Sequence, residues 1–255
     1  MESAAGISYV VLLPNEEKET MIKNKQGDKT YSYTFHKGIK ANKIYYRTAS
    51  DGTTVEALAW EEYDPYNGYE YVDLGLPSGL KWATCNVGAE TPEEYGNYYA
   101  WGETQPAPGF NYIESNCATY GLFISDLQSQ GIIDGNNNLT PSYDAATANW
   151  GGSWRMPTKA ELQELIDNCT WTWTAQNGVN GFRVTGPNGS CIFLPAAGYH
   201  YESLLNLAGD LGHYWSSTTY ESNIYSAWCL YFDSGNHYVS NRSRYYGLSV
   251  RSVSE

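Results

Sequence analysis

Residues 214–253 hold seven Tyr, nine Ser and three Asn. They lie between two fixed phrases, Tyr214-Trp215-Ser216-Ser217 and Tyr246-Gly247-Leu248-Ser249-Val250-Arg251. Tyr supplies large, rigid, amphipathic contact area at low entropic cost, and Ser and Asn supply adaptable hydrogen bonds. This is contact chemistry of the kind found in paratopes, and it makes binding the leading reading. The same residue types also populate strands and turns, so an aromatic-rich edge of an ordinary β domain stays open as the alternative.

Residues suited to covalent or metal chemistry are scattered. The histidines at 36, 200, 213 and 237 show no metal-ligand spacing. The five cysteines at 85, 117, 169, 191 and 229 contain no Cys-x-x-Cys, which leaves zinc and thioredoxin-type chemistry without support. Their odd number leaves at least one thiol free unless a bond joins two chains. Free Cys packed as a small hydrophobe is the favoured reading; a disulfide stays open, its pair unnamed. Asp134-Gly135-Asn136-Asn137-Asn138 begins like a calcium loop. Leu139 stands where Gly is needed and Ala145 where the bidentate Glu belongs, so the segment reads as a turn. Glu161 and Glu164 share a helix in which capping and solvation account for them. There is no Gly-x-Ser-x-Gly, phosphate loop or dinucleotide fingerprint. The expectation is a protein that is not an enzyme and takes no cofactor and no metal.

The elements that must position the Tyr-rich segment fall into two parts. In residues 1–66, Ile7-Ser8-Tyr9-Val10-Val11-Leu12-Leu13, Thr30-Tyr31-Ser32-Tyr33-Thr34-Phe35, Lys43-Ile44-Tyr45-Tyr46-Arg47 and residues 53–60 read as strands, with a turn at Asp51-Gly52. Most of the chain's lysines lie here. Four strands make a thin sheet, so this all-β segment is expected to belong to a larger sandwich or to dock on the rest of the chain. The polar stretch 61–68, with Pro65 and Gly68, marks the boundary. Beyond it three helices are expected. One starts at Thr91-Pro92-Glu93-Glu94, one spans residues 144–150 before Gly151-Gly152, and one spans 158–168, where Thr158 and Glu161 form a capping box and Leu162, Leu165 and Ile166 share a face. The rest reads as strands and long loops.

Composition limits the partners. With 15 basic and 28 acidic residues the net charge is -13, so a phosphate backbone would be repelled over most of the surface. Arg242, Arg244 and Arg251 make the one basic cluster, and nucleic acid is not an expected partner. No run of about 20 apolar residues is present, so no direct membrane insertion is expected. Met1-Glu2-Ser3-Ala4-Ala5-Gly6 lacks the order of a signal peptide; if the protein is exported, the chain is expected to be a fragment of its precursor. Abundant Tyr (24), Trp (9) and Gly (25), with only 17% charged residues, suit an extracellular or outer-cell-surface location.

Several phrases together carry a family resemblance. They are Tyr71-Val72-Asp73-Leu74-Gly75-Leu76-Pro77-Ser78-Gly79-Leu80-Lys81-Trp82-Ala83, Asn97-Tyr98-Tyr99-Ala100-Trp101-Gly102-Glu103, Trp154-Arg155-Met156-Pro157-Thr158-Lys159-Ala160-Glu161-Leu162, Leu194-Pro195-Ala196-Ala197-Gly198, Tyr214-Trp215-Ser216-Ser217 and Ser249-Val250-Arg251. Over residues 69–253 the chain resembles the Fibrobacter succinogenes major paralogous domain family of exported bacterial proteins. The resemblance implies an α+β fold, a C-type-lectin-like domain at 69–255 with few helices and many loops, related to formylglycine-generating enzymes and to the variable proteins of diversity-generating retroelements. The segment before it weakly resembles the last strands of a fimbrillin-like pilus domain.

Each relative implies a different site. A formylglycine-generating enzyme needs a close pair of cysteines for copper, whereas here Cys229 stands alone. Calcium-dependent lectins use Glu-Pro-Asn and Trp-Asn-Asp; this chain has Gln105-Pro106-Ala107 and Trp228-Cys229-Leu230. The variable proteins place diversified residues on an outward plane near the C-terminus. That comparison implies a ligand-binding set of Tyr220, Ser222, Asn223, Ile224, Tyr225, Tyr231, Asp233, His237, Tyr238, Ser240, Asn241, Ser243 and Tyr245, with Trp215 and Trp228 as scaffold. Strand alternation sends Trp228, Leu230 and Phe232 inward and Cys229, Tyr231 and Asp233 outward. The expected function is a non-catalytic surface adhesin or binding protein, diversified by a retroelement, for a host or bacterial surface protein or glycan. Pilus subunits are further partners. A calcium-independent carbohydrate-binding module and a degenerate formylglycine-generating-type enzyme are the alternatives.

Overall fold

The computed structural model describes the strands Thr20–Gln26 (β1), Lys29–Phe35 (β2), Ile44–Tyr46 (β3) and Glu61–Tyr63 (β4), and all of residues 66–255. The chain divides into two compact units, Met1–Pro65 and Tyr66–Glu255. In the first, β1 pairs antiparallel with β2 and β3 with β4. The alternating Thr30–Phe35 run lies in β2 and the Ile44 run forms β3. Strand β1 carries no sequence signal, because Lys23, Asn24, Lys25 and Gln26 interrupt its apolar start; pairing with β2 makes it a strand. The expected strands at 7–13 and 53–60 and the turn at Asp51-Gly52 lie outside the described residues.

The second unit contains β5 (Tyr71–Asp73), β6 (Lys81–Asn86), α1 (Ile124–Ser129), α2 (Ala145–Trp150), α3 (Lys159–Asn168), β7 (Thr170–Gln176), β8 (Val179–Thr185), β9 (Cys191–Pro195), β10 (Tyr199–Tyr201), β11 (Leu204–Asn206), β12 (Leu211–Thr219), β13 (Ser226–Asp233), β14 (His237–Ser243) and β15 (Arg251–Ser254). The sheets run β15-β6-β5, β7-β8-β9, β10-β11 and β12-β13-β14, all antiparallel. The expected α+β class with a C-type-lectin-like domain is therefore corrected. Strand accounts for 38% and helix for 16%, in small antiparallel sheets, and the class leans all-β.

The physical reason lies in the helices themselves. At Thr91 the cap forms, with Glu94 Oε2 accepting from the Thr91 and Glu90 N–H groups. One turn comes next, and Gly96 at φ +70° ends it before any apolar face can form. Helix α2 lasts six residues between its N-cap Asp144, whose carboxylate accepts from Thr147 N–H at 2.9 Å, and Gly151 at φ +65°. The longest is α3, with ten residues. Thr158 and Glu161 close its capping box, and Leu162 and Leu165 are buried.

The sheet β12-β13-β14 is the centre of the unit. One face carries Trp215, Ala227 and Cys229 into a core with Trp101 and Trp154. The other carries Tyr214, Leu230 and Phe232 against Leu162 and Leu165 of α3. Strand β13 is thus covered on both faces, which corrects the expected alternation. Cys229 is fully buried rather than outward, and Trp228 is half-buried rather than inward, with Lys159 Nζ 3.5 Å from its ring centre. All five cysteines are free thiols.

The expected basic cluster is also corrected, since Arg244 and Arg251 are both buried. Arg251 donates to Asn86 Oδ1 and to the carbonyls of Ala83, Thr84 and Phe193 at 2.8–3.1 Å, pinning β15 to β6 and β9. No described helix is long and apolar enough to cross a membrane.

Candidate functional site

Strands β13 and β14 put the Tyr-rich segment at the margin of the central sheet. Asp233 Oδ1 accepts from the Gly235 and Asn236 N–H groups and fixes the turn between them. The register sets Tyr231 opposite Tyr238 and, across β12, opposite His213. From there the rings run on as a belt. Tyr238 meets Tyr231 at 4.9 Å between ring centres, Tyr231 meets His213 at 5.1 Å, and His213 meets Tyr199 at 5.4 Å. Tyr199 stacks on Tyr246 at 5.6 Å, Tyr246 touches Tyr245 at 5.0 Å, Tyr245 touches Tyr120 at 5.1 Å and Tyr120 touches Tyr225 at 5.0 Å. All these spacings suit favourable aromatic pairing. The ends are open: Tyr238 is 49% and Tyr225 45% exposed.

Long-range contacts assemble this row. Strand β10 brings Tyr199 in by exchanging backbone hydrogen bonds between His200 and Gly247. Gly247 is required for that approach, because a Cβ there would stand 2.7 Å from the Tyr112 ring. Arg244 holds the other end. Its guanidinium donates to the carbonyls of Thr119, Leu122 and Ser226 and to Thr219 Oγ1 at 2.6–3.1 Å, and its N–H donates to the Tyr225 carbonyl. One buried cation thus fixes the backbones that present Tyr120, Tyr225 and Tyr245. Burial lowers it to about 10, which leaves it charged at neutral pH.

The belt is rich in hydroxyls. The hydrogen bond to Asp233 at 2.7 Å, with burial, pushes Tyr231 up to about 12 and holds the Asp233 carboxyl below its usual range. Burial, then the bond to Glu114, raises Tyr120 to about 12, and burial raises Tyr245 and Tyr246. Burial lowers His213 to about 3, with Arg242 adding to the effect, so it is neutral. Arg242 adds a cation 5.9 Å from the Tyr231 ring centre.

Of the residues expected from sequence, Tyr225, Tyr231, Asp233, Tyr238 and Tyr245 belong to this belt, and Ser240 shares its sheet face. The others lie elsewhere. His237 stacks on Trp171 at 4.7 Å and beside Phe182, in the opposite core. Asn241 and Ser243 share His237's sheet face, and Tyr220 packs edge-on against Trp228. Ser222, Asn223 and Ile224 occupy the β12–β13 loop, where Asn223 Oδ1 accepts from Tyr225 N–H. The candidate set therefore does not form one plane. Tyr120, Tyr199, Tyr201, His213 and Tyr246 were not in it; the triplet Tyr199-His200-Tyr201 was the sequence signal available.

Other chemistry finds little footing. Cys229 is fully buried, and burial pushes its thiol up to about 12. Among the described residues no three His, Cys, Asp or Glu side chains are grouped to hold a metal ion. A cleft of about 300 Å³ includes Asp144, Arg155 and Thr158 in its lining. Its charges are already engaged: Asp144 accepts from Thr147 and Met156 N–H groups, and Arg155 forms a two-bond pair with Glu161.

Residues 75–254 match the family model described as the Lcl C-terminal domain, a family related to the Fibrobacter/Bacteroides paralogous family. Neither the curated proteins nor the solved structures offer a match to the chain.

Proposed function

Because the chain belongs to the Lcl C-terminal domain family, a surface-associated domain family, we propose that it is a non-catalytic binding module of the outer cell surface whose partner lies against the tyrosine belt. The row of seven tyrosines around neutral His213, open at Tyr225 and Tyr238, carries this reading. Exposed tyrosines on a rigid backbone supply hot-spot contacts at low entropic cost. A surface protein or a glycan is the partner class, and stacked, hydroxyl-bearing rings suit sugar faces as well as peptide side chains. The first unit is proposed to link the module to a larger surface structure such as a pilus.

Retroelement diversification is proposed for the outward positions Ser222, Asn223, Tyr225 and Tyr238, whose side chains are exposed. A reverse transcriptase beside a near-copy of the 3′ end of the gene is the expected genomic neighbour; a locus with neither refutes this part.

The test of the binding reading uses a glycan array and a panel of purified extracellular proteins. A specific ligand is expected, and Tyr225→Ala with Tyr238→Ala should weaken it by at least about tenfold, or 1.4 kcal/mol, in a chain that stays folded at the assay temperature despite the loss of two ring contacts worth about 0.5–1.5 kcal/mol each. A specific ligand whose binding ignores both substitutions refutes the belt.

A further inference from the structure

The hairpin β10–β11 lies beyond the belt and has an open edge. Its register sets Tyr199 opposite Asn206, His200 opposite Leu205 and Tyr201 opposite Leu204. His200 exchanges both backbone bonds with Gly247, at 2.8 and 3.0 Å, so its N–H and C=O point away from β11. In an antiparallel ladder these directions alternate. Tyr199 and Tyr201 therefore bond to β11, and the N–H and C=O of Leu205 point outward from the last strand of the sheet.

That edge is apolar on both faces. Leu204 is 62%, Leu205 43% and Leu207 50% exposed, with Phe110 at 54% and Tyr201 at 37%. Leu204 shares the face of Tyr201, which packs on Tyr246. Leu205 shares the face of His200, which stacks on Phe110. A strand with exposed leucines on both faces, and with backbone groups unpaired among the described residues, is an incomplete sheet edge, the kind that proteins normally blunt with charge.

We propose that β11 pairs with β11 of a second copy of this chain, antiparallel about a two-fold axis at Leu205. Each Leu205 N–H then donates to the other's carbonyl, so the one residue with outward groups satisfies itself. The pairing is isologous and closes at two copies. The five apolar residues expose on the order of 500 Å² per copy, against about 800 Å² for a standard stable interface. The dimer is accordingly reversible.

Sedimentation of the full chain from about 1 µM to about 500 µM tests this, with a concentration-dependent monomer–dimer equilibrium expected. Leu205→Pro removes the outward N–H and leaves the β10–β11 bonds intact, as an edge strand tolerates. Leu204→Asp places a carboxylate in the contact at a site too exposed to threaten folding. Each should raise the dimer dissociation constant at least about tenfold, and exchange of the Leu205 amide should slow as concentration rises. A chain that stays monomeric to the top of the range overturns the proposal and leaves the edge to a foreign strand. A dimer indifferent to both substitutions overturns it as well.

Discussion

Replacing His213 with Phe should flatten the acid limb of the stability curve. His213 is 1% exposed, sits between Tyr199 and Tyr231, and its Nδ1 has no hydrogen-bond partner among the described residues. Burial lowers it from 6.5 to about 3. Between those values the unfolded chain binds a proton that the folded chain does not, so stability falls as pH drops through 6.5 and is level above it. One unit of difference corresponds to about 1.4 kcal/mol. At pH 5 the contribution lost relative to pH 7.5 is therefore about 2 kcal/mol, approaching ~5 kcal/mol near pH 3. Phe keeps the ring contacts and removes the titration. Urea unfolding of the native chain and of His213→Phe at pH 7.5 and pH 5 should differ in their pH dependence by about 2 kcal/mol. The comparison between variants cancels the acid lability of Asp233 and Glu161, whose carboxyls are also lowered. Equal losses in the two proteins would refute the reasoning, as would a His213 ring signal that titrates near 6.5.

Two further outcomes rest on buried polar groups and caps. Arg244→Met removes the guanidinium bonds to three carbonyls and the Thr219 hydroxyl, and should cost about 3 kcal/mol by urea unfolding once the relieved desolvation of the cation is counted; a loss under ~1 kcal/mol speaks against its role as a pin. Thr158→Ala removes the side-chain cap of α3 and should cost about 1 kcal/mol, read as a lower urea midpoint at unchanged slope.

How far the sequence could be read depended on the range of the interactions. The capping box of Thr158 and Glu161, the stop at Gly151 after the short helix and the turn at Asp134 are local, involving partners within a few residues, and all three were legible. The fold class was not. The resemblance suggested α+β, while Gly96 and Gly151 stop two of the three expected helices after about a turn or two and leave sheets to make the core. Alternation failed at Cys229 because β13 lies between two cores, and period two separates faces without saying what covers each. The belt was half legible: Tyr225, Tyr231, Tyr238 and Tyr245 lie in the dense C-terminal run, whereas Tyr120 and Tyr199 arrive through Arg244 and Gly247, contacts spanning 125 and 47 positions in the chain. His237 faces the other core for a reason of the same range, since its neighbour Trp171 comes from β7.

The way the belt is held bears on which of its residues can change. Arg244 grips the main-chain carbonyls of Thr119, Leu122 and Ser226, and its own N–H bonds the carbonyl of Tyr225. None of these bonds uses the side chain of Tyr120 or Tyr225. The backbone that presents the rings is therefore fixed independently of the rings. Side chains at Ser222, Tyr225 and Tyr238 project from that frame into solvent, whereas Asn223 Oδ1 accepts from Tyr225 N–H and helps to hold it. Exchanging Tyr225 for Ser or Asn forfeits its ring contact with Tyr120, worth about 0.5–1.5 kcal/mol, and leaves every pin in place. The loss in unfolding free energy should stay below about 1.5 kcal/mol for each substitution, and distant pairs such as 225 with 238 should add. Binding should respond the other way, with large and position-specific losses. A Tyr225→Asn chain destabilised by about 3 kcal/mol or more would mean that the ring itself holds the loop, and the frame would not be separable from the face it presents.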